Sequence, residues 1–179
     1  MRITIFGGTL PKPGEPDYQE AVRLGQLLAR SGHSVITGGY MGTMEAASRG
    51  AAEAGGHVIG VTCTEIERWR SSKANPWVRE EWKYATLQER MVAMTDACDA
   101  VIVLPGGVGT LAEITLMWNR MVIQAIQPRP LIMIGPRWEA AFTALFAAEE
   151  DYIPTNYRAL LQFIPTVEEA VKLVNHLHL

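Results

Sequence analysis

Short apolar runs rich in Val and Ile recur at 2–6, 34–37, 57–62, 100–104 and 130–134. Between them, near 17–31, 43–54, 87–98, 110–126 and 137–149, apolar residues return every three or four positions. The runs have the pattern of strands buried on both faces, and the stretches that of helices with one face toward a core. A short strand near 162–164 and a helix at 166–177 close the chain. This alternation predicts an α/β fold, a Rossmann-like parallel sheet with helices on both faces joined by right-handed crossovers. The 179 residues suit one domain spanning 1–179, with no internal repeat, low-complexity tract or long linker to divide it.

Helix starts are marked by polar spacing. Asp17-x-x-Glu20, Thr86-x-x-Glu89, Thr110-x-x-Glu113 and Thr166-x-x-Glu169 all fit the capping-box pattern, in which two side chains satisfy free backbone N–H groups. The segment 63–86 carries no such order. It holds Trp69, Trp77 and Trp82 among Arg68, Arg70, Lys73 and Arg79, broken by Asn75-Pro76. Two roles are open for it: covering a ligand, or packing its tryptophans on the body of the protein or on a partner subunit.

Composition narrows the function classes. A net charge of -3 gives no basic face for nucleic acid. No apolar run approaches the roughly 18 residues of a membrane span, and the chain opens on a strand without a signal-peptide layout. A cytoplasmic protein is expected. Cys63 and Cys98 lack neighbours at zinc-ligand spacing and read as reduced core thiols, so no metal site is expected. The four histidines, among them His176 and His178 near the end, form no triad or metal pattern.

The chemistry-bearing residues follow strands. Phe6 precedes Gly7-Gly8, Thr37 precedes Gly38-Gly39-Tyr40-Met41-Gly42, and Leu104 precedes Pro105-Gly106-Gly107-Val108-Gly109-Thr110. In a parallel sheet these loops share one edge, where open α/β folds bind ligands. Glycine lets backbone N–H groups approach an anion, and a helix N-terminus adds a favourable dipole. A phosphate site is therefore expected at this edge. The Lys-Ser/Thr of a Walker loop is absent. Gly107-x-Gly109-x-x-Ala112 fits a relaxed dinucleotide fingerprint, but it follows the fourth strand, and Leu131–Arg137 lacks the acid that would hold a ribose. NAD is thereby disfavoured.

Two charged residues lie near this loop. The helix at 87–98 leads into strand 100–104, so its first turn, with Arg90, lies at the same edge. A cation opposes the helix dipole there, which points to a bound anion; the alternative is a solvated arginine paired with a nearby acid. Glu113 fits either a cap for Thr110 or a catalytic carboxylate. A carboxylate beside a bound phosphate costs affinity, yet glycosidic cleavage needs one to steady an oxocarbenium-like ribose or to activate water. The helix at 110–126 is apolar nearly all round: Leu111, Ile114, Trp118, Met121, Val122 and Ala125 form one stripe, and Leu116, Met117, Ile123 and Ile126 extend it. Its second apolar side suits a two-fold dimer contact or deep packing within one monomer.

At these positions the chain resembles the LOG (Lonely Guy) family, long labelled lysine decarboxylase-like. Pro105–Glu113 matches the family's PGGxGTxxE signature, Gly38–Met44 resembles its second glycine motif, and Gly56–Val61 resembles its GGxVIGV strand. Glu89-Arg90-Met91 falls where the family carries an Arg-Lys pair. The resemblance implies a Rossmann-like homodimer that hydrolyses nucleoside 5′-monophosphates, such as cytokinin riboside monophosphates or AMP, to free base and ribose 5-phosphate without a cofactor. By position it makes Arg90 and Glu113 the catalytic pair, with Gly106, Gly107, Val108, Gly109 and Thr110 on the phosphate. Two departures stand out: Met91 replaces the family lysine, and Gly7–Gly14 lacks the family's Ser-rich first loop. Related proteins with similar loops carry molybdenum cofactor, so a non-catalytic nucleotide or molybdenum-cofactor carrier is the alternative. Decarboxylation would need a lysine Schiff base to pyridoxal phosphate, and Lys12, Lys73, Lys83 and Lys172 sit in no motif for it.

Overall fold

Strand β1 (Arg2–Phe6) runs up the middle of the sheet with β2 (Ser34–Thr37) on one side and β5 (Ala100–Val103) on the other. In the computed structural model, which describes residues 1–177, the order continues outward through β3 (Val58–Cys63) to β4 (Glu80–Tyr84) and through β6 (Leu131–Ile134) to β7 (Leu161–Ile164). All neighbouring strands pair in parallel. The fold is therefore the expected Rossmann-like α/β sheet.

Side-chain alternation divides the core. Ile3, Ile5, Val35, Val58, Ile102 and Ile132 face helices α1 (Pro16–Arg30), α2 (Thr43–Glu53) and α8 (Val167–Asn175). Phe6, Ile36, Ile59, Val101, Val103 and Met133 face α4 (Leu87–Asp96), α5 (Val108–Val122) and α6 (Pro136–Ala148). Cys63 and Cys98 are both buried free thiols.

The segment 63–86 is more ordered than its sequence suggests. It contains a short helix α3 (Thr64–Arg70) and the edge strand β4. The sequence Glu80-Glu81-Trp82-Lys83-Tyr84 has too many charges to read as a buried strand, but at an edge those charges face water while Trp82 and Tyr84 pack on the core. A one-turn helix α7 (Thr155–Arg158) also escaped the periodicity.

Of the four expected capping boxes, Thr86–Glu89 forms completely, and Thr166 accepts the Glu169 N–H. The other two are corrected. Helix α1 starts at Pro16 with Glu15 as N-cap, which puts Asp17 inside the first turn, where it pairs with Arg137 at 3.0 Å. Helix α5 starts at Val108 with Gly107 as its cap, so Thr110 is already helical and Glu113 lies in the second turn. It also stops at Val122, short of 126, because Gln124 takes a left-handed φ of 58°. His176 bonds back to the Lys172 carbonyl oxygen at 2.6 Å, His33 meets Asn175 at 2.8 Å, and His57 pairs with Glu80 at 3.1 Å. His178 lies outside the described residues.

Candidate active site

The chain order reverses between β1 and β5, because β1 leads outward to β2 while β5 leads the other way to β6. Loops leaving two such strands diverge to opposite faces and open a crevice at the carboxyl edge. Here the crevice is a cleft of about 820 Å³, within the range of roughly 300–1,000 Å³ usual for small-molecule sites.

The glycine loops are stitched together at its floor. The Gly8 N–H donates to the Pro105 carbonyl oxygen at 3.0 Å, and the Thr43 N–H donates to the Gly8 carbonyl oxygen at 2.9 Å. Gly7, Gly8 and the whole run Pro105–Thr110 line the cleft. Gly38, Gly39 and Gly42 do not; they shape it from behind. Gly42 has φ +69°, and a Cβ there would meet the Gly8 carbonyl oxygen at 2.6 Å. A Cβ on Gly38 would run into the Arg90 guanidinium.

The N-terminus of α5 leaves its backbone donors uncapped. Leu111 is the first residue of the helix whose N–H reaches back, to the Gly107 carbonyl oxygen at 2.9 Å, so the N–H groups of Val108, Gly109 and Thr110 have no partner within the helix. No side chain caps this end, and no acid occupies its first turn. Val108 stands 86% exposed at the tip.

Arg90 and Glu113 meet beside that loop. Arg90 is only 3% exposed, which removes the solvated-arginine alternative. Its Nε donates to the Val61 carbonyl oxygen at 2.7 Å and its Nη2 to the Gly38 carbonyl oxygen at 3.1 Å, so the ends of β3 and β2 fix the guanidinium. The Tyr40 ring lies 5.7 Å from its carbon. Nη1 stands 3.4 Å from Glu113 Oε1. Glu113, 9% exposed, makes no capping bond; its carboxylate turns to Arg90 and the cleft. Burial pushes its carboxyl up to about 7, against the opposing pull of the Arg90 charge.

Ile66 and Arg137 line the cleft without any sequence motif, whereas Trp69 and Arg70 belong to the segment 63–86, for which covering a ligand is one of the two open roles, and Met91 stands at the family's lysine position. Ile66, Trp69 and Arg70 come from α3, Met91 from α4 and Arg137 from α6. The signal that could have found them is position: Tyr40, the α3 segment and Arg137 each follow closely on a strand's carboxyl end. None of the four lysines lines the cleft.

Residues 44–174 match the family model described as "Possible lysine decarboxylase". The chain is 33% identical over 177 residues to the cytokinin riboside 5′-monophosphate phosphoribohydrolase LOG4 of Arabidopsis thaliana, covering 96% of this chain and 80% of that protein. The chain belongs to the LOG family. Another LOG relative, the probable phosphoribohydrolase LOGL9 of Oryza sativa subsp. japonica, is 30% identical over 174 residues, covering 95% of this chain and 75% of its own length. Among solved structures, the molybdenum cofactor binding protein of Rippkaea orientalis superposes with a TM-score of 0.75 at 25% identity, over 97% of this chain and 94% of that one. The molybdenum cofactor carrier protein of Chlamydomonas reinhardtii superposes with a TM-score of 0.73 at 24% identity, over 97% and 94%, a likeness of fold.

Proposed function

We propose that this LOG-family chain hydrolyses the N-glycosidic bond of nucleoside 5′-monophosphates, releasing free base and ribose 5-phosphate. The observation that carries the reading is the buried Arg90–Glu113 pair set against an uncapped helix N-terminus in one cleft. A phosphate alone would be served by the loop and an arginine. A desolvated carboxylate beside it weakens anion binding and is accounted for by chemistry at the sugar.

In this reading the free N–H groups of α5 and the Gly106–Thr110 loop hold the 5′-phosphate, and Gly7-Gly8 closes the floor beneath it. Arg90, immobilised by two backbone carbonyls, offsets the phosphate charge and keeps Glu113 ionisable. Glu113 stabilises positive charge developing on the ribose and takes a proton from water. The water oxygen bonds to C1′ as the C1′–N bond breaks, and the electron pair leaves with the base, which gains a proton. A carboxyl near 7 suits this step, since a general base works best when its pKa lies close to the working pH. AMP and cytokinin riboside monophosphates are the substrates proposed, and no metal or redox group enters the balance.

We further propose that the chain works as a cytoplasmic homodimer. Leu111 on α5 and Ile123 at its C-cap stand 43% and 63% exposed, apolar side chains that a two-fold contact would cover. No helix among the described residues is long and apolar enough to cross a membrane.

A non-catalytic carrier of a nucleotide or of molybdenum cofactor is the second reading. Met91, in place of the family lysine, removes a cation from the cleft wall and favours it. Incubating the protein with AMP, other nucleoside monophosphates and a cytokinin riboside monophosphate, and separating products by chromatography, distinguishes the two. Stoichiometric base and ribose 5-phosphate support the hydrolase. Binding without product from any nucleotide rejects it.

A further inference from the structure

Helix α3 is an unusual wall for a cleft, because none of its residues is buried. It is held along one flank by polar ties: the Leu87 N–H donates to Glu65 Oε2 at 2.7 Å, Lys83 Nζ pairs with Glu67, and Thr64 Oγ1 donates to the Tyr84 carbonyl oxygen at 3.4 Å. Its other flank turns Ile66, Trp69 and Arg70 into the cleft that holds the phosphate loop, Arg90 and Glu113.

Trp69 is 74% exposed. Burial of a large aromatic side chain normally stabilises a fold, and here most of that gain is forgone. The indole therefore does little packing within the chain. The Arg70 guanidinium carbon lies 4.3 Å from its ring centroid, within cation–π range. One face is thus covered and the other is left for a second planar group.

We propose that Trp69 is the base platform of the site: the nucleobase of a bound monophosphate stacks on the indole face opposite Arg70. This rests on the phosphate lying at the α5 N-terminus, as in the proposed function, but not on turnover. With the phosphate there and the sugar at Glu113, the base extends toward another wall of the same cleft, and α3 supplies that wall's exposed aromatic group. Stacking reads the area of a π-face rather than a hydrogen-bond pattern. The site accordingly takes planar bases with little regard to their edge groups and favours purines over the smaller pyrimidines.

Calorimetric titration of wild type, Trp69→Ala and Trp69→Phe, each carrying Glu113→Gln so that the nucleotide is not consumed, with AMP, UMP and ribose 5-phosphate tests this. The expected result is an AMP affinity about tenfold weaker in Trp69→Ala and largely restored in Trp69→Phe. Ribose 5-phosphate affinity stays unchanged in all three, and AMP binds the wild type more tightly than UMP. Unchanged AMP affinity in Trp69→Ala overturns the proposal, as does an equal loss for AMP and ribose 5-phosphate, or no AMP binding by the wild type. If the pattern holds and the chain with Glu113 intact releases no base, the hydrolase reading fails while the platform stands.

Discussion

Arg90 and Glu113, from the first turn of α4 and the second turn of α5, face each other at 3.4 Å with the arginine already bonded to two strand-end carbonyls. This asymmetry matters. Arg90 is fixed by the backbone whether or not Glu113 is charged, whereas Glu113 depends on Arg90 for its only hydrogen bond among the described residues. Removing Arg90 therefore takes away the charge that keeps Glu113 ionisable and leaves the Val61 and Gly38 carbonyl oxygens without their donor. Arg90→Ala is expected to lower kcat/KM at least a hundredfold and to destabilise the fold by about 1–3 kcal/mol, which activity assays and chemical denaturation check together. Glu113→Gln is expected to lose comparable activity with AMP binding retained.

The raised carboxyl gives a signed pH dependence. Glu113 moves from an ordinary value of 4.5 up to about 7 on folding, so its neutral form is favoured in the folded protein. The associated stability is fully present below the unfolded value and is lost as pH rises through the folded one. Relative to Glu113→Gln, the wild type should lose about 3 kcal/mol between pH 4 and pH 8, measured by urea denaturation at each pH. Base release should move oppositely, rising with pH through about 7 as Glu113 ionises.

Gly38 and Arg90 are coupled by contact. An added methyl at Gly38 meets the guanidinium and the Met44 sulfur, so the arginine must leave its anchors. Gly38→Ala is expected to cost about 1–3 kcal/mol of stability and to lower kcat far more than the loss of folded protein explains. Thermal melts paired with assays below the melting range separate the two effects.

Much of this geometry was legible in the sequence, for different reasons in different places. Val- and Ile-rich runs mark all the central strands because a strand buried on both faces carries almost no charge to blur it. β4 escapes the pattern because an edge strand with Glu80, Glu81 and Lys83 looks like a loop. Thr110 and Glu113 have capping-box spacing, but the backbone starts the helix at Val108, a choice made by the glycine loop and invisible to spacing alone. Arg90 beside Glu113 follows from the helix that feeds strand 100–104, whereas the anchoring of Arg90 on Val61 and Gly38 depends on strand order, which no local pattern encodes.

Met91 lines the cleft on the same helix as Arg90. Met91→Lys returns a cation to the family's position and is expected to tighten nucleoside monophosphate binding severalfold, on the order of 0.5–1 kcal/mol. The gain should shrink as salt rises from 50 to 500 mM. Calorimetry at both ionic strengths reads this.

The exposed side chains of Leu111 and Ile123 bear on the proposed assembly state. Light scattering should give about twice the 19.8 kDa chain mass for the wild type. Leu111→Glu combined with Ile123→Glu should give the monomer, since both positions carry their side chains into water in the single chain.

Glu113, beside the glycine loop, is proposed to drive cleavage of an N-glycosidic bond. Chromatographic quantification of adenine and ribose 5-phosphate from AMP, with Glu113→Gln and Arg90→Ala run beside the wild type, decides this. Equal amounts of the two products from the wild type, lost in both variants while Glu113→Gln still binds AMP, is the predicted result. Base release that persists in Glu113→Gln would contradict it, as would a wild type that binds AMP and releases nothing.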